Sequence, residues 1–185
     1  MTRLGELNTI NEEQAAEFLE PLIERAPNVA ARVARHRPFN DLDGLQRAIQ
    51  RELLALDEAE SLDLFRAHSD LAPDNPLSMT GASQSEQGRL DLTDEGNTHR
   101  ARLVDLNKRY RERFGFPFIT ALVRHHDINS VLAEFEGRLA EDRTTEIARA
   151  IEQISIVSLE RVRLAFGCDE MVDVTRKPME GEHDI

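Results

Sequence analysis

The chain has 185 residues, 40% of them hydrophobic, and one cysteine, Cys168. That is the length of one ordinary domain, too apolar for wholesale disorder, yet without the run of roughly 20 apolar residues that a membrane span needs. Lys and Arg total 23 against 35 Asp and Glu, a formal charge of -12, which repels phosphate backbones and anionic lipid and so excludes nucleic acid and membrane as partners; a small anion could bind only where basic groups or a helix N-terminus reverse the local field.

Helical spacing dominates the chain, and no series of alternating segments with hairpin turns occurs, so the fold is expected to be all-α, a single-domain bundle of about seven to nine helices. Asn11, followed by Glu12, Glu13 and Gln14, reads as a cap with a reciprocal polar residue at N3, opening a helix that carries Phe18, Leu22 and Ile23 and that Pro21 kinks or breaks. A second helix starts near Asn28 and ends by Arg37, because Pro38 disfavours helical geometry before it. From Asp41 to Leu56, the residues Leu42, Leu45, Ile49, Leu53 and Leu56 form one apolar stripe, the clearest core helix of the first half. A helix over Glu58 to Arg66 follows, and then a loop from His68 bearing Pro73, Asn75, Pro76 and Gly81.

A short helix is expected from about Ser83, and a longer one from about Asp94 that Gly115 stops. Pro117 bends the chain, Ser130 precedes a helix with Val131, Leu132, Phe135 and Leu139, and Thr144 or Thr145 with Glu146 opens a last helix to about Phe166. Residues 1–168 make up the helical domain, and residues 169–185 read as a polar tail that frays. The single cysteine cannot pair within the chain, no secretory leader opens it, and the terminal Glu182-His183-Asp184-Ile185 matches no retention signal, so a reducing cytoplasm is expected.

The last helix singles out one arginine. At about 100° per residue from Ile147, the residues Ile151, Ile154 and Ser158 fall within about 40°, and Arg161 at about -40°, while Arg149 and Arg163 lie on the opposite face. Arg161 therefore points inward and requires either a protein carboxylate or an anionic ligand. His68 closes an apolar helix at the mouth of a loop, where it serves as a general acid or base or merely compensates the helix dipole. His125-His126-Asp127 has no metal-ligand spacing, so no metal site is expected. Ser83 and Glu86 have the S-x-x-E form of a capping box, which also leaves amides and polar side chains for a small polar ligand. The turn from Phe116 to Ile119 reads as core packing or as backbone offered to a ligand. There is no P-loop, GxGxxG, GxSxG or CxxC.

Taken in order, these pieces resemble the 2-oxo-4-hydroxy-4-carboxy-5-ureidoimidazoline (OHCU) decarboxylase family. Leu7-Asn8 is similar to its opening segment, and Ala67-His68-Ser69-Asp70-Leu71 to its A-H-P-D-L element. Ser83, Glu86 and Gln87 match S-x-x-E-Q. Asn107, Tyr110, Phe114, Gly115, Pro117 and Phe118, with Ile119 next, match N-x-x-Y-x-x-x-F-G-x-P-F, and Arg161 matches an arginine of the long last helix. Ser69 departs from the pattern, which has proline there. The resemblance implies an all-α homodimer that uses neither metal nor organic cofactor and converts a ureido-imidazoline to S-allantoin and CO2 in urate breakdown. It implies His68 and Glu86 as catalytic residues, with Ser69, Ser83, Gln87, Phe118, Ile119 and Arg161 at the substrate. Arg161 and Ser83 would orient substrate oxygens, Glu86 would accept N–H groups, and His68 would exchange the proton. Association with the upstream hydrolase would pass on an unstable substrate. The residues taken alone leave open a noncatalytic helical module with a buried His68–Glu86–Arg161 network, or an enzyme for another ureide.

Overall fold

A computed structural model describes residues 2–92 and 99–173, apart from the side chains of Pro76 and residues 168–173. The helices begin where short polar side chains can take the first free amides. Thr2 caps α1 (Arg3–Thr9) and Asn11 caps α2 (Glu12–Leu19), where Gln14 completes the expected capping box. Pro21 ends α2 by tightening its continuation into a single 3-10 turn, Glu20–Leu22. Pro27 opens α3 (Pro27–Ala34), Asp41 caps α4 (Leu42–Leu54), and Asp57 with Glu60 forms a second capping box at α5 (Glu58–Arg66). Past the loop lie α6 (Gly81–Gly88), capped by Thr80, and α7 (Arg100–Phe114), which Gly115 ends in the left-handed conformation at φ 82°. A third proline-bent stretch leads to α8 (Ile128–Arg138), capped by Asp127, and α9 (Arg143–Asp173). The described residues contain no strand, so the all-α, single-domain expectation holds at nine helices.

Three details differ from the sequence reading. The short α1 was not expected, because barely two turns around Leu4 and Leu7 carry too little periodicity to register. Helix α9 is opened by Asp142, whose carboxylate accepts the Thr145 amide at 3.0 Å, and not by a threonine. It also continues past Phe166 to Asp173. The start of α7 near Asp94 lies outside the described residues, as does the segment 174–185 of the expected tail.

Helices α2, α3, α4 and α9 pack into one half of the core, with α5 also on α9, while α7 meets α8. On α4 the stripe Leu45, Ile49 and Leu53 is fully buried, with Leu42 and Leu56 partly so at its ends. The α7–α8 half is aromatic: the Tyr110 ring meets Phe114, Phe116, Phe118 and Phe135 at centroid distances of 4.6, 5.8, 5.3 and 5.6 Å. Inside this cluster Arg138 is 1% exposed and Glu146 is 0% exposed. The guanidinium is bonded to Glu146, to the Ile119 carbonyl at 2.8 Å and to Glu134 at 2.8 Å, and the Tyr110 hydroxyl also donates to Glu146. Neither charge was foreseen. The signal was present: taking Val131 as zero, Phe135 falls at about 40° and Arg138 at about -20°, so Arg138 continues the apolar stripe of α8.

Candidate active site

The C-terminus of α5, the N-terminus of α6, the turn after Pro117 and the middle of α9 frame one partly open hollow. His68, Glu86, Arg161, Ser69, Ser83, Gln87, Phe118 and Ile119 all line it, together with Glu24, Thr120, Ile154 and Ser158. The side chains singled out in the sequence therefore converge from four distant stretches.

His68 lies two residues past the end of α5. Its Nδ1 lies 2.9 Å from the Leu64 carbonyl oxygen, which can only accept, so Nδ1 carries a proton and Nε2 is left for the cavity. Burial pushes the imidazole below its ordinary value and outweighs the carbonyl bond, which favours the charged form. At neutral pH His68 is thus a neutral base with a fixed tautomer. Two side chains hold the segment that carries it. The Gln87 side-chain carbonyl accepts the Ala72 amide at 2.7 Å, and the Asn107 amide donates to the Leu71 carbonyl at 2.8 Å. Ala72 is held at a left-handed φ of 48°, a conformation that costs a non-glycine residue about 1–2 kcal/mol. Gln87, expected at the substrate, thus also anchors the backbone behind His68. Ser69, which also lines the hollow, donates its hydroxyl to the Ser78 carbonyl at 3.2 Å.

Arg161 occupies the inward face assigned from its angle on α9, while Arg163 is exposed and Arg149 half-exposed. Its two open readings merge. Nε and Nη2 reach Glu86 at 3.1 and 3.0 Å, and Nη2 also reaches Glu24 at 2.7 Å, while Nη1 has no hydrogen-bond partner among the described residues. The guanidinium is paired with protein carboxylates and keeps one edge for a ligand.

The expected capping box at Ser83 does not form. Helix α6 starts two residues earlier, so Thr80 caps the Ser83 amide at 3.2 Å and frees the Ser83 hydroxyl. That hydroxyl donates to both oxygens of Glu24, at 2.7 and 2.8 Å, and the Thr80 hydroxyl donates to Glu24 at 2.9 Å. Ser83 has one proton and spends it on Glu24, so it meets the cavity as an acceptor rather than as the orienter of oxygens expected from the sequence.

The two carboxylates on Arg161 diverge in acidity. Burial alone would raise Glu24, but Arg161 and the Ser83 and Thr80 hydroxyls outweigh it and hold the carboxyl below the usual range. Burial raises Glu86, and the Glu24 charge adds to this against the pull of Arg161. Glu24 is therefore the more acidic of the two carboxyls that share Arg161, and Glu86 the less acidic.

Phe118 and Ile119 form the floor. The Phe118 ring is committed to the core, stacked on Phe135 at 3.9 Å and lying 4.5 Å from the Arg138 guanidinium carbon. The Ile119 carbonyl is taken by Arg138, and the Ala121 amide donates to Gln153 at 3.0 Å. His125, from the histidine pair, is bonded to Glu134 at 2.7 Å, Ser130 at 3.0 Å and Thr120 at 3.2 Å, and does not itself line the hollow. A second hollow, lined by Glu17, Glu20, Pro21, Thr80 and Gly81, shares Glu24 and Arg161 with the first.

Among relatives, the chain is 30% identical over 166 residues to 2-oxo-4-hydroxy-4-carboxy-5-ureidoimidazoline decarboxylase of Haloferax volcanii, covering 90% of this chain and 97% of that protein. It is 27% identical to the uric acid degradation bifunctional protein of Bacillus sp. (strain TB-90), over 95% of this chain and 34% of that one. Among solved structures, (S)-allantoin synthase superposes with a TM-score of 0.63 at 25% identity, over 88% of this chain, which spans about half, 53%, of that chain. The profile of OHCU decarboxylase matches residues 8–163, the span that holds every residue of the hollow, and the chain therefore belongs to the OHCU decarboxylase family.

Proposed function

We propose that this protein decarboxylates 2-oxo-4-hydroxy-4-carboxy-5-ureidoimidazoline to S-allantoin and CO2 in urate breakdown. The observation that carries the reading is the single hollow in which a neutral imidazole, a protonatable carboxyl and a half-engaged guanidinium face one another.

The substrate supplies its own electron sink, so the chemistry asks the protein for orientation and proton handling. The bond from C4 to the carboxylate breaks, its electron pair moves toward C5, and the C5=N bond passes a pair to nitrogen as CO2 leaves. Arg161 holds an anionic oxygen with its free Nη1 edge. Ser83 accepts an N–H of the ring or ureido group. Glu86 accepts a neighbouring N–H of the ring or ureido group, and the ring nitrogen that received the pair takes its proton from solvent. The Nε2 of His68 takes the C4 hydroxyl proton and returns it to C5, giving the carbonyl and the new C–H bond. One base on one face of the ring makes one enantiomer.

The reading includes a homodimer in the cytoplasm, following the family resemblance. It also includes association with the hydrolase that makes the substrate, as the resemblance implies, and the name of the Bacillus relative joins two activities of uric acid degradation in one protein. Among the described residues no helix is long and apolar enough to cross a membrane.

Adding freshly generated substrate to the purified protein should release CO2 and build optical activity of S-allantoin well ahead of the spontaneous reaction. Racemic product at the uncatalysed rate would remove the proposal. The pH profile gives a second check. His68 must be neutral to act, and burial holds its pKa below the ordinary imidazole value, so protonation removes the base only in acid. The ascending limb of kcat/KM should therefore fall below the ordinary imidazole range. A limb centred above that range would contradict the assignment.

A further inference from the structure

Glu24 was not singled out in the sequence, lies on no periodic face, and follows directly on the turn that Pro21 makes after α2. Its neighbours Ile23 and Ala26 are core residues, which fixes the backbone of the turn and directs the side chain between them toward α6 and α9. The carboxylate is one-tenth exposed, as is Arg161. Both of its oxygens are in use: Oε1 accepts from Thr80 and Ser83, and Oε2 from Ser83 and Arg161.

We propose that Glu24 is a positioning residue for the decarboxylation, fixing the donor and acceptor pattern of the substrate site by taking the Ser83 hydroxyl proton and the Nη2 edge of Arg161. The inference rests on the proposed function and extends it to a residue that need not touch the reacting atoms. Two consequences follow from hydrogen-bond arithmetic. Ser83 presents only lone pairs to the cavity, which selects an N–H on the substrate over an oxygen at that point. Arg161 is held from two sides, by Glu24 and Glu86, so its free Nη1 is aimed in one direction and loses little freedom when an anionic oxygen arrives. Thr80 ties the same carboxylate to the cap of α6, so the start of that helix and the arginine of α9 share one anchor.

The informative substitution is Glu24→Gln. An amide of the same shape has one acceptor oxygen in place of two, and its NH2 would oppose the Arg161 donor, so either Ser83 or Arg161 is released. Steady-state kinetics with freshly generated substrate should show KM raised about tenfold or more, with kcat reduced by a much smaller factor, as expected when charge-assisted contacts that orient a ligand are lost. Glu24→Asp keeps both oxygens on a shorter stem and should recover part of the KM. Because Glu24 acts through Ser83, the double variant Glu24→Gln, Ser83→Ala should bind substrate less poorly than the product of the two single effects.

Circular dichroism and active-site titration identify a variant that has merely lost folded protein. Such a loss lowers the apparent kcat and leaves KM unchanged. An unaltered KM in folded Glu24→Gln, or strictly multiplicative effects in the double variant, would overturn the inference while wild-type activity stands. An inactive wild type would overturn the proposed function and this inference with it.

Discussion

His68→Ala is expected to lower kcat by about 10²–10⁴-fold, the range lost when a positioned general base is removed. The cavity lining includes other polar groups, but none can take its place. Glu24 is bonded to three partners, the Ser83 hydroxyl proton is committed, and Glu86 is engaged by Arg161. The fold should tolerate the change, because among the described residues the ring makes one hydrogen bond, to the Leu64 carbonyl in the last turn of α5, and the segment behind it is held independently by Gln87 and Asn107. Helical circular dichroism should match the unaltered protein while CO2 release falls toward the spontaneous rate. Retained turnover would mean that the proton moves by another route.

The largest effect on stability is expected at Arg138. Arg138→Met keeps the apolar length of the side chain but leaves the Glu146 carboxylate, 0% exposed, without its counter-ion. Stranding one member of a buried ion pair costs about 3–5 kcal/mol. The Ile119 carbonyl and Glu134 lose a donor as well. Urea or thermal unfolding should register the loss, and Arg138→Met combined with Glu146→Leu should regain most of it, since a well-packed apolar pair avoids the desolvation of both charges. A single variant as stable as the unaltered chain would mean that Glu146 is accommodated some other way.

Much of this architecture can be read from the residues. The stripe on α4, the Asn11–Gln14 box, the α5 segment and the stop at Gly115 are all local patterns, and each is present. The inward Arg161 follows from one angular calculation, because α9 is long enough for its buried face to be unambiguous. What escaped the sequence depends on contacts between remote segments. Glu24 sits on a turn without periodicity, and its importance appears only when α6 and α9 close on it. Ser83 was misread as a cap because Thr80, three residues before it, satisfies the same local rule, and only the helix start decides between them. Arg138 and Glu146 break the rule that charges face solvent, each made tolerable by the other.

The ion pair between Glu24 and Arg161 has a further consequence. Since both side chains line the candidate hollow and its neighbour, any change that moves one of them alters the walls of both at once. A shortened side chain at either position should therefore enlarge the two together.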